Sequence, residues 1–512
     1  MKAVRNFVAG GQKILSRHGH SDSLSLHDLK IVPELPNLSK QMAHMASNPT
    51  SSIPGPASLP LIGALWQYLP GGRFYGLDFN ESVRRLQSLY GDIVREEIVP
   101  GFTVIRLYNP EHFVDVYKAE GDLPTRALFG MLKRYNQLYN QDVQGLLTSQ
   151  GQAWQQMRRE IQQEISSPRA ARAYVKNQMS VADEFLERLT GLRDEDGTVT
   201  DFLPEIYKYV TEAIGIVCFD GRLGVMDPDN TEGQQFIEAV STSLTLTQKE
   251  LSSIPLYKII NTSMFNKYCR AMNTIKNLSE KYMDAAFKRP FEDDDSLNLV
   301  QHLTYKSKLS YREVFTFLSE IFFGGIDSTG HCLAFSLHAL SRHPEVQEKV
   351  YDEIKSLSPR DINNGALDHT SYLRAFLKET LRMYPVAPGL GRTTSKATTI
   401  AGYHIPAQTN IVLHYDMAGK NGQYIAEPDS FKPERWLRPN KTNTFPYITV
   451  PFGFGPRSCP ARRLASQEVS LILIKILQRF EIAESKTDLP IKMQFLNAPA
   501  EPLSYTFKER QT

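Results

Sequence analysis

Apolar residues recur at intervals of three and four positions through most of residues 152–357, which is the spacing of amphipathic helices. Two short runs rich in β-branched residues, 92–99 and 103–107, instead predict a small hairpin. Helical spacing returns over 370–383, and a mainly apolar run over 464–480 predicts a last long helix. The pattern therefore predicts a mainly α fold with a small β region, an α+β architecture.

The longest predicted helix begins at a capping box. Ser310 is a preferred N-cap residue, and Glu313 lies three positions later, where its carboxylate can reach back to the N-cap N–H group. Helical character continues to about Arg342, and Pro344 ends it. A helix of about 32 residues is about 48 Å long, which is enough to cross a whole domain.

The sequence of residues 324–329, Gly-Gly-Ile-Asp-Ser-Thr, weakens this helix near its middle. Each glycine costs about 1 kcal/mol relative to alanine. Asp, Ser and Thr side chains also compete for backbone hydrogen bonds. We expect the helix to be interrupted here beside a ligand, with an ordinary packing kink as the alternative.

The first 52 residues have a different character. The first 21 contain four Lys and Arg residues, no Asp or Glu, and apolar residues at helical spacing, which is typical of a mitochondrial presequence. A disordered tail is the alternative. No run of 18 apolar residues is present, so we expect no transmembrane helix, while peripheral association with a membrane surface stays open. The expected organisation is a presequence and flexible leader over 1–52 and a single domain over 53–512.

Composition narrows the function. A hydrophobic content of 41% is ample for a core, and a net charge of +2 gives no reason to expect nucleic-acid binding. The chain has 4 cysteines and no C-x-x-C pair, which argues against a disulfide scaffold or a structural zinc site and fits a reducing compartment. These cysteines are Cys218, Cys269, Cys332 and Cys459.

One of them lies in a loop of glycines and prolines, residues 451–460. Gly453 and Gly455 allow the backbone to approach a bound group closely, and Arg457 precedes Cys459 by two positions. A helix beginning just after the sulfur adds free N–H groups and a dipole that favour a thiolate. The loop suits a cysteine that serves as an anionic iron ligand, and a buried free cysteine is the alternative.

A pair of opposite charges lies on the predicted helix over 370–383. Glu379 and Arg382 are three apart and share a helix face, a pair that is usually a surface ion pair of little value. Arg435 lies downstream in a Pro-rich stretch for which we expect no regular structure. It could close a three-member network with the pair and fix that stretch to the helix.

Taken together, these motifs resemble the cytochrome P450 family of haem-thiolate monooxygenases over about residues 53–512. The resemblance implies the P450 fold, with haem b (iron protoporphyrin IX) between the long central helix and the loop of Cys459. It makes Cys459 the axial ligand of the iron and gives Glu379, Arg382 and Arg435 the family's structural network. The implied cofactor-binding residues are Trp154, Arg158, Arg392, Phe452, Arg457 and Cys459.

The resemblance also implies how protons reach the bound oxygen. An acid–alcohol pair in the central helix has this role in the family, and here it is Asp327 and Ser328, with Thr329 able to share it. The family usually has threonine after the acid, so Ser328 is a departure. Ala461 is another, because most members have glycine at that position; we expect its methyl group to press on the haem or the following helix.

The leader and several basic residues resemble the animal mitochondrial branch of the family. There, cations before the Glu–Arg motif and after the cysteine dock an acidic, adrenodoxin-like ferredoxin, which receives electrons from NADPH through its reductase. The corresponding residues are Arg374, Lys378, Arg462 and Arg463, and ordinary solvated surface is their alternative. The branch implies a location at the matrix side of the inner mitochondrial membrane.

The implied reaction inserts one oxygen atom from O₂ into a C–H bond of a lipophilic substrate, with a steroid or ecdysteroid-like compound favoured. Two alternatives are a haem-thiolate isomerase or dehydratase that needs no reductase, and a non-catalytic haem sensor or carrier. Candidate substrate-facing residues are apolar and have core packing as their alternative. They are Leu128, Phe129, Met131, Phe322, Phe323, 386–388, Phe495 and Leu496.

Overall fold

The structure is a computed structural model that describes residues 48–126, 128–251, 253–292, 297–438 and 445–511. The predicted leader lies almost wholly outside the described residues. Helices account for most of the described chain, as predicted. They are α1 (Phe79–Tyr90), α2 (Pro110–Glu120), α3 (Gly130–Tyr139), α4 (Gly151–Ile165), α5 (Pro168–Ala173), α6 (Val175–Leu192), α7 (Leu203–Phe219), α8 (Thr231–Leu251), α9 (Ser263–Phe287), α10 (Leu299–Lys306), α11 (Tyr311–Arg342), α12 (Pro344–Ile354), α13 (Pro359–Asn363), α14 (Ser371–Met383), α15 (Tyr415–Ala418) and α16 (Arg462–Arg479).

Short strands form small sheets, which confirms the predicted α+β class. The strands are β1 (Ile93–Val99), β2 (Phe102–Leu107), β3 (Thr198–Val199), β4 (Leu390–Thr393), β5 (Thr398–Ile400), β6 (Tyr403–Ile405), β7 (Asn410–Leu413), β8 (Phe480–Ile482), β9 (Ile491–Gln494), β10 (Leu496–Pro499) and β11 (Tyr505–Glu509). The predicted hairpin is the antiparallel pair β1–β2. It extends through parallel pairing of β2 with β7 and antiparallel pairing of β7 with β4, whereas β3, β11 and β8 form a separate sheet.

The long central helix is α11, and its capping box is present. Ser310 Oγ accepts the N–H of Glu313, and the Glu313 carboxylate accepts the N–H of Ser310. Most residues of α11 are buried, including polar ones, because other helices surround it. The main hydrophobic core therefore forms around this helix.

The expected interruption of α11 at 324–329 is wrong, because the helix is continuous there. Ser328 Oγ donates to Gly324 O at 2.7 Å within the helix, so its side chain does not compete for another backbone conformation. Packing accounts for another glycine: a Cβ on Gly325 would lie 2.8 Å from Ile214 Cδ1 on α7. The stretch over 433–436, expected to be irregular, is a 3₁₀ helix.

Candidate functional site

The loop over 451–460 folds back on itself just before α16. Cys459 N donates to Phe452 O at 2.7 Å, and Ser458 N donates to Gly455 O at 3.1 Å. Gly453 and Gly455 have φ angles of +73° and +71°, in the left-handed region that costs other residues free energy. The two glycines are thus required by the backbone of the turn that presents Cys459.

Two opposing effects act on the Cys459 thiol. Burial raises its pKa, whereas the N–H of Ala461 and the charges of Arg158, Arg126 and Arg462 oppose the rise. Ala461 is the N-cap residue of α16, and its φ of −89° is open to any residue. The backbone therefore does not need glycine at this position.

Four arginines, Arg126, Arg158, Arg392 and Arg457, lie close enough to affect one another's charge. Burial lowers the pKa of Arg457 to about 9 and that of Arg126 to about 10, and the neighbouring cations add to both shifts. Glu120 forms an ion pair with Arg392, and Arg126 Nε is buried without a partner. A buried surplus of cations with a free donor fits an anionic group such as the two propionates of haem.

The protein itself supplies several partners for these arginines. Arg457 Nε donates to Pro124 O at 3.0 Å and Nη2 to Ser149 O at 2.9 Å, and the guanidinium lies 4.0 Å from the centre of the Trp154 ring. Arg158 Nη1 donates to Ser458 O at 2.8 Å. The predicted cofactor-binding residues therefore converge on the Cys459 loop, although Arg457 is more fully bonded to protein than the sequence suggested.

Asp327 is buried in α11, with Oδ1 lacking a hydrogen-bond partner. Burial raises its pKa to about 7, and a hydrogen bond with Ser241 on α8 opposes the rise. Ser328 is partly buried, and Thr329 is 5% exposed. A Cβ on Gly324, one turn before Ser328, would meet no protein atom within 4 Å. This side of α11 combines open space with a carboxyl group that can change protonation near neutral pH.

The Glu379 carboxylate on α14 is fully enclosed by donors. Arg382 donates to both of its oxygens at 2.7 and 3.0 Å, Arg435 Nε donates to Oε1 at 3.0 Å, and Trp436 Nε1 donates to Oε2 at 2.8 Å. The side chains of Glu379 and Arg382 are 0% exposed. The structure thus brings together the three predicted residues and adds Trp436. We call these four side chains the anchoring network.

The predicted redox-partner cations lie on α14 and at the start of α16. Arg374, Arg462 and Arg463 are exposed. Lys378 Nζ lies 3.8 Å from the centre of the Trp436 ring, which places a cation beside the anchoring network. Arg463 Nε donates to Ser166 O at 2.9 Å, so this side chain is fixed in place.

The candidate substrate-facing residues separate into two groups. The Phe129 ring lies 5.9 Å from the Phe323 ring and 5.4 Å from the Phe495 ring, between centroids. We call these three rings the aromatic wall. Phe322 instead packs between Phe219 and Phe236, with centroid distances of 5.5 and 5.1 Å, in the core of the neighbouring helices.

Sequence reasoning missed Arg126 and Glu120 at this site. Arg126 Nη2 donates to Arg457 O at 3.3 Å, across 331 positions of sequence, and Glu120 pairs with Arg392 across 272. Neither belongs to a motif with regular spacing. Arg126 lies just before Leu128 and Phe129, two candidate substrate-facing residues, and its charge beside this apolar stretch is the signal that could have found it.

Comparison with known proteins now identifies the family. The family model for cytochrome P450 matches residues 53–507. Probable cytochrome P450 49a1 of Drosophila melanogaster is 29% identical over 490 residues, covering 90% of this chain and 83% of that protein. Cytochrome P450 302a1, mitochondrial, from the same species is 28% identical, with 91% and 96% covered.

A vertebrate relative and a solved structure are also similar to this chain. The mitochondrial 1,25-dihydroxyvitamin D(3) 24-hydroxylase of Mus musculus is 29% identical over 467 residues, covering 90% of this chain and 89% of that protein. The crystal structure of the cytochrome P450DA heme domain superposes with a TM-score of 0.73 at 22% identity, covering 90% of this chain and 98% of that one, which shows the fold. The chain therefore belongs to the cytochrome P450 family and is a haem-dependent monooxygenase.

Proposed function

We propose that this protein is a mitochondrial-type P450 that hydroxylates a steroid-like substrate with electrons from NADPH, delivered by a ferredoxin reductase and an adrenodoxin-like ferredoxin. The observation that carries the proposal is a pair of cations one turn apart on α14, the exposed Arg374 and the half-buried Lys378, which lies over the Trp436 ring of the anchoring network. Its position suits an acidic electron donor that binds on the side of the Cys459 loop. The mitochondrial relatives support this assignment.

In this proposal Cys459 is the thiolate ligand of the haem iron. Arg126, Arg158, Arg392 and Arg457 would hold the propionates, and Trp154 and Phe452 would contribute to binding the haem. Haem supplies the iron at which O₂ is activated, and a thiolate ligand favours cleavage of the O–O bond. The anchoring network keeps the 426–436 stretch on α14, since Arg382 and Arg435 also donate to backbone carbonyls in that stretch.

Asp327 and Ser328 move protons to the oxygen side of the site. Asp327 can hold a proton near neutral pH because burial raises its pKa to about 7. Ser328 Oγ donates to Gly324 O, and passing a proton onward would require it to rotate away from that carbonyl. Serine makes this rotation more freely than threonine, because it lacks the methyl group that restricts χ1. Thr329 is a second hydroxyl on the same turn.

The docking proposal is tested by reversing charge at the proposed site. The double substitution Arg374→Glu, Lys378→Glu should lower ferredoxin-driven turnover more than tenfold, and more at low salt because screening is weaker. Turnover driven by hydrogen peroxide, which needs no electron donor, should change little. Lys267→Glu with Arg270→Glu is the matched control, since both residues are exposed on α9. Equal losses in the two double variants would contradict the proposed site.

The substrate proposal rests on the aromatic wall and on the name of the mouse relative, a hydroxylase of 1,25-dihydroxyvitamin D(3). Flat, apolar ring systems match three aromatic side chains. Titration of the ferric enzyme with sterols, ecdysteroid precursors, fatty acids and xenobiotics, followed by the shift of the haem spectrum, tests it. Tight binding of fatty acids with no binding of ring compounds would contradict a steroid-like substrate.

We also propose that the enzyme lies at the matrix side of the inner mitochondrial membrane. None of the helices in the described part of the chain is long and apolar enough to cross a bilayer. Ile254, Leu256, Ile259 and Ile260 are exposed by 51%, 49%, 82% and 58%, and they form an apolar segment suited to a membrane surface. A fluorescent protein fused to residues 1–52 should enter mitochondria; a cytosolic signal would contradict this location.

A further inference from the structure

Helix α3 begins without a cap from its own segment. Its N-cap residue, Phe129, has a φ of +63° and offers no polar side chain to the first N–H groups of the helix. These groups find their partner on α8, more than a hundred positions away. The carboxylate of Glu250 accepts Met131 N through both oxygens, at 3.1 and 3.2 Å, and also accepts Gly130 N.

Glu250 is itself held in place. Tyr257 Oη donates to its Oε1 at 2.5 Å, and Lys258 adds a favourable charge. A Cβ on Gly130 would lie 2.2 Å from Tyr257 Oη and 2.4 Å from Glu250 Oε1, so any side chain there would displace the hydroxyl and the carboxylate. The carboxylate, the hydroxyl and the helix end therefore form a closely fitted contact between α8 and α3.

The same turn of α8 makes a second contact of this kind. Gln248 Oε1 accepts Phe495 N at 3.0 Å. Phe495 also has a positive φ, of 72°. Gln248 and Glu250 thus fix the backbone at Phe495 and next to Phe129, two of the three residues of the aromatic wall. The third ring, Phe323, is on α11 and needs no such support.

We propose that the last turn of α8 positions the aromatic wall, with Glu250 and Tyr257 holding Phe129 and Gln248 holding Phe495. The proposal rests on the proposed function, in which the wall borders the substrate. Because the polar contacts fix a backbone rather than touch the ligand, Glu250 is a positioning residue. Its loss should loosen the wall and change the entry of bulky apolar ligands, while small ligands of the haem iron should enter as before.

The test uses the haem-loaded enzyme and the variants Glu250→Gln and Tyr257→Phe. Glu238→Gln is the matched control, because Glu238 is exposed on the same helix. Hydrogen exchange of the Met131 amide should accelerate about tenfold in Glu250→Gln, the effect of losing a charged cap, and about threefold in Tyr257→Phe. Association of clotrimazole, a bulky azole, should accelerate about tenfold in Glu250→Gln, whereas that of imidazole should change less than about twofold.

Three outcomes would overturn the proposal: unchanged exchange at Met131, faster exchange with unchanged clotrimazole binding, or equal changes for clotrimazole and imidazole. Tyr257→Phe keeps the carboxylate in place, so it remains informative if Glu250→Gln does not fold. Azole binding requires neither the natural substrate nor ferredoxin. If the protein does not hydroxylate steroids, the azole-binding test can therefore still be interpreted.

Discussion

Two buried carboxyl groups, Glu379 on α14 and Asp327 on α11, have opposite surroundings. Glu379 accepts hydrogen bonds from two guanidinium groups, an indole and a backbone N–H. Asp327 has an unpartnered oxygen and one hydrogen bond, with Ser241. In the proposed function α14 supports the Cys459 loop, where Leu381 belongs to the same apolar cluster as Phe452, and α11 carries the proton-delivery residues. Full pairing fixes a structure, whereas incomplete pairing leaves a group able to exchange protons.

Glu320, two turns before Asp327, shows that the second pattern extends along α11. One of its oxygens accepts Leu147 N at 2.9 Å, and the other has no partner. Burial raises its pKa to about 8, although the N–H groups of Leu147 and Leu146 oppose the rise. The central helix therefore carries two buried acids whose pKa values burial raises to near neutral pH, in contrast to the surroundings of Glu379, in which both oxygens are paired.

The largest effect is expected from breaking the paired carboxylate. Glu379→Ala leaves Arg382 and Arg435 buried without their counter-ion, which costs about 3–5 kcal/mol of folding free energy. We expect a large loss of haem-loaded protein and a lower midpoint in thermal unfolding. Glu434→Gln is the control, because this glutamate forms an ion pair with Lys349 at a partly exposed position, worth less than about 1 kcal/mol. Similar losses in both variants would contradict the distinction.

The ion pair of Glu379 could be predicted from the sequence, whereas the surroundings of Asp327 could not. Glu379 and Arg382 are three apart on a helix, so their contact follows from local geometry. The loop glycines and the capping box of α11 are local in the same sense. Arg126 and Glu250 act across more than a hundred positions, and no periodic signal connects them to their partners.

The expectation that α11 is interrupted was wrong because the continuity of the helix, too, depends on contacts between residues distant in sequence. Helix propensity describes a segment in isolation, but tertiary packing overrides it. Gly330 illustrates this: a Cβ there would lie 2.8 Å from Tyr207 Cδ1, so the glycine allows α7 to approach α11 closely. Gly325 and Gly330 are thus explained by neighbours on α7 that the sequence does not place, whereas Gly324 faces open space.

The substitution Asp327→Asn should impair proton delivery without changing the fold. Asparagine preserves the shape but cannot supply a proton, so oxygenase turnover should fall about 10²-fold. The ferric spectrum and the thiolate-type band of the reduced carbon monoxide complex should be unchanged. Stopped-flow measurement of electron consumption against product would locate the defect. Normal turnover would exclude Asp327 from proton delivery.

The same substitution has an effect on stability that depends on pH. The pKa of Asp327 is about 7 in the folded protein, above its ordinary value of 3.8. The folded state therefore binds this proton more tightly, and the wild type loses stability as pH rises from about 4 to about 7. Asp327→Asn should be more stable than the wild type at pH 8, by up to about 4 kcal/mol, and the advantage should vanish below pH 4. An advantage that is independent of pH would contradict the raised pKa.

Gly453 and Gly324 differ in backbone conformation, so their replacement by alanine should have opposite effects on stability. Gly453 has a φ of +73° with no protein atom closer than 3.6 Å to an added Cβ, so Gly453→Ala should cost about 1–2 kcal/mol through backbone strain alone. Gly324 is helical and faces open space, so Gly324→Ala should stabilise the fold by up to about 1 kcal/mol. Thermal unfolding measures both effects, and the same sign for the two variants would contradict this reading.

Ala461 is expected to give the smallest effect. Its negative φ places no demand for glycine, whereas its N-cap position favours glycine over alanine by about 0.5–1 kcal/mol. Glycine also adds freedom to the unfolded chain, which costs about 0.4–1 kcal/mol. The two effects nearly cancel, so Ala461→Gly should change the free energy of unfolding by less than about 0.5 kcal/mol and leave the haem spectrum unchanged. A clear gain in stability or a shifted spectrum would show that the methyl group presses on the haem or on α16, as the departure from the family pattern first suggested.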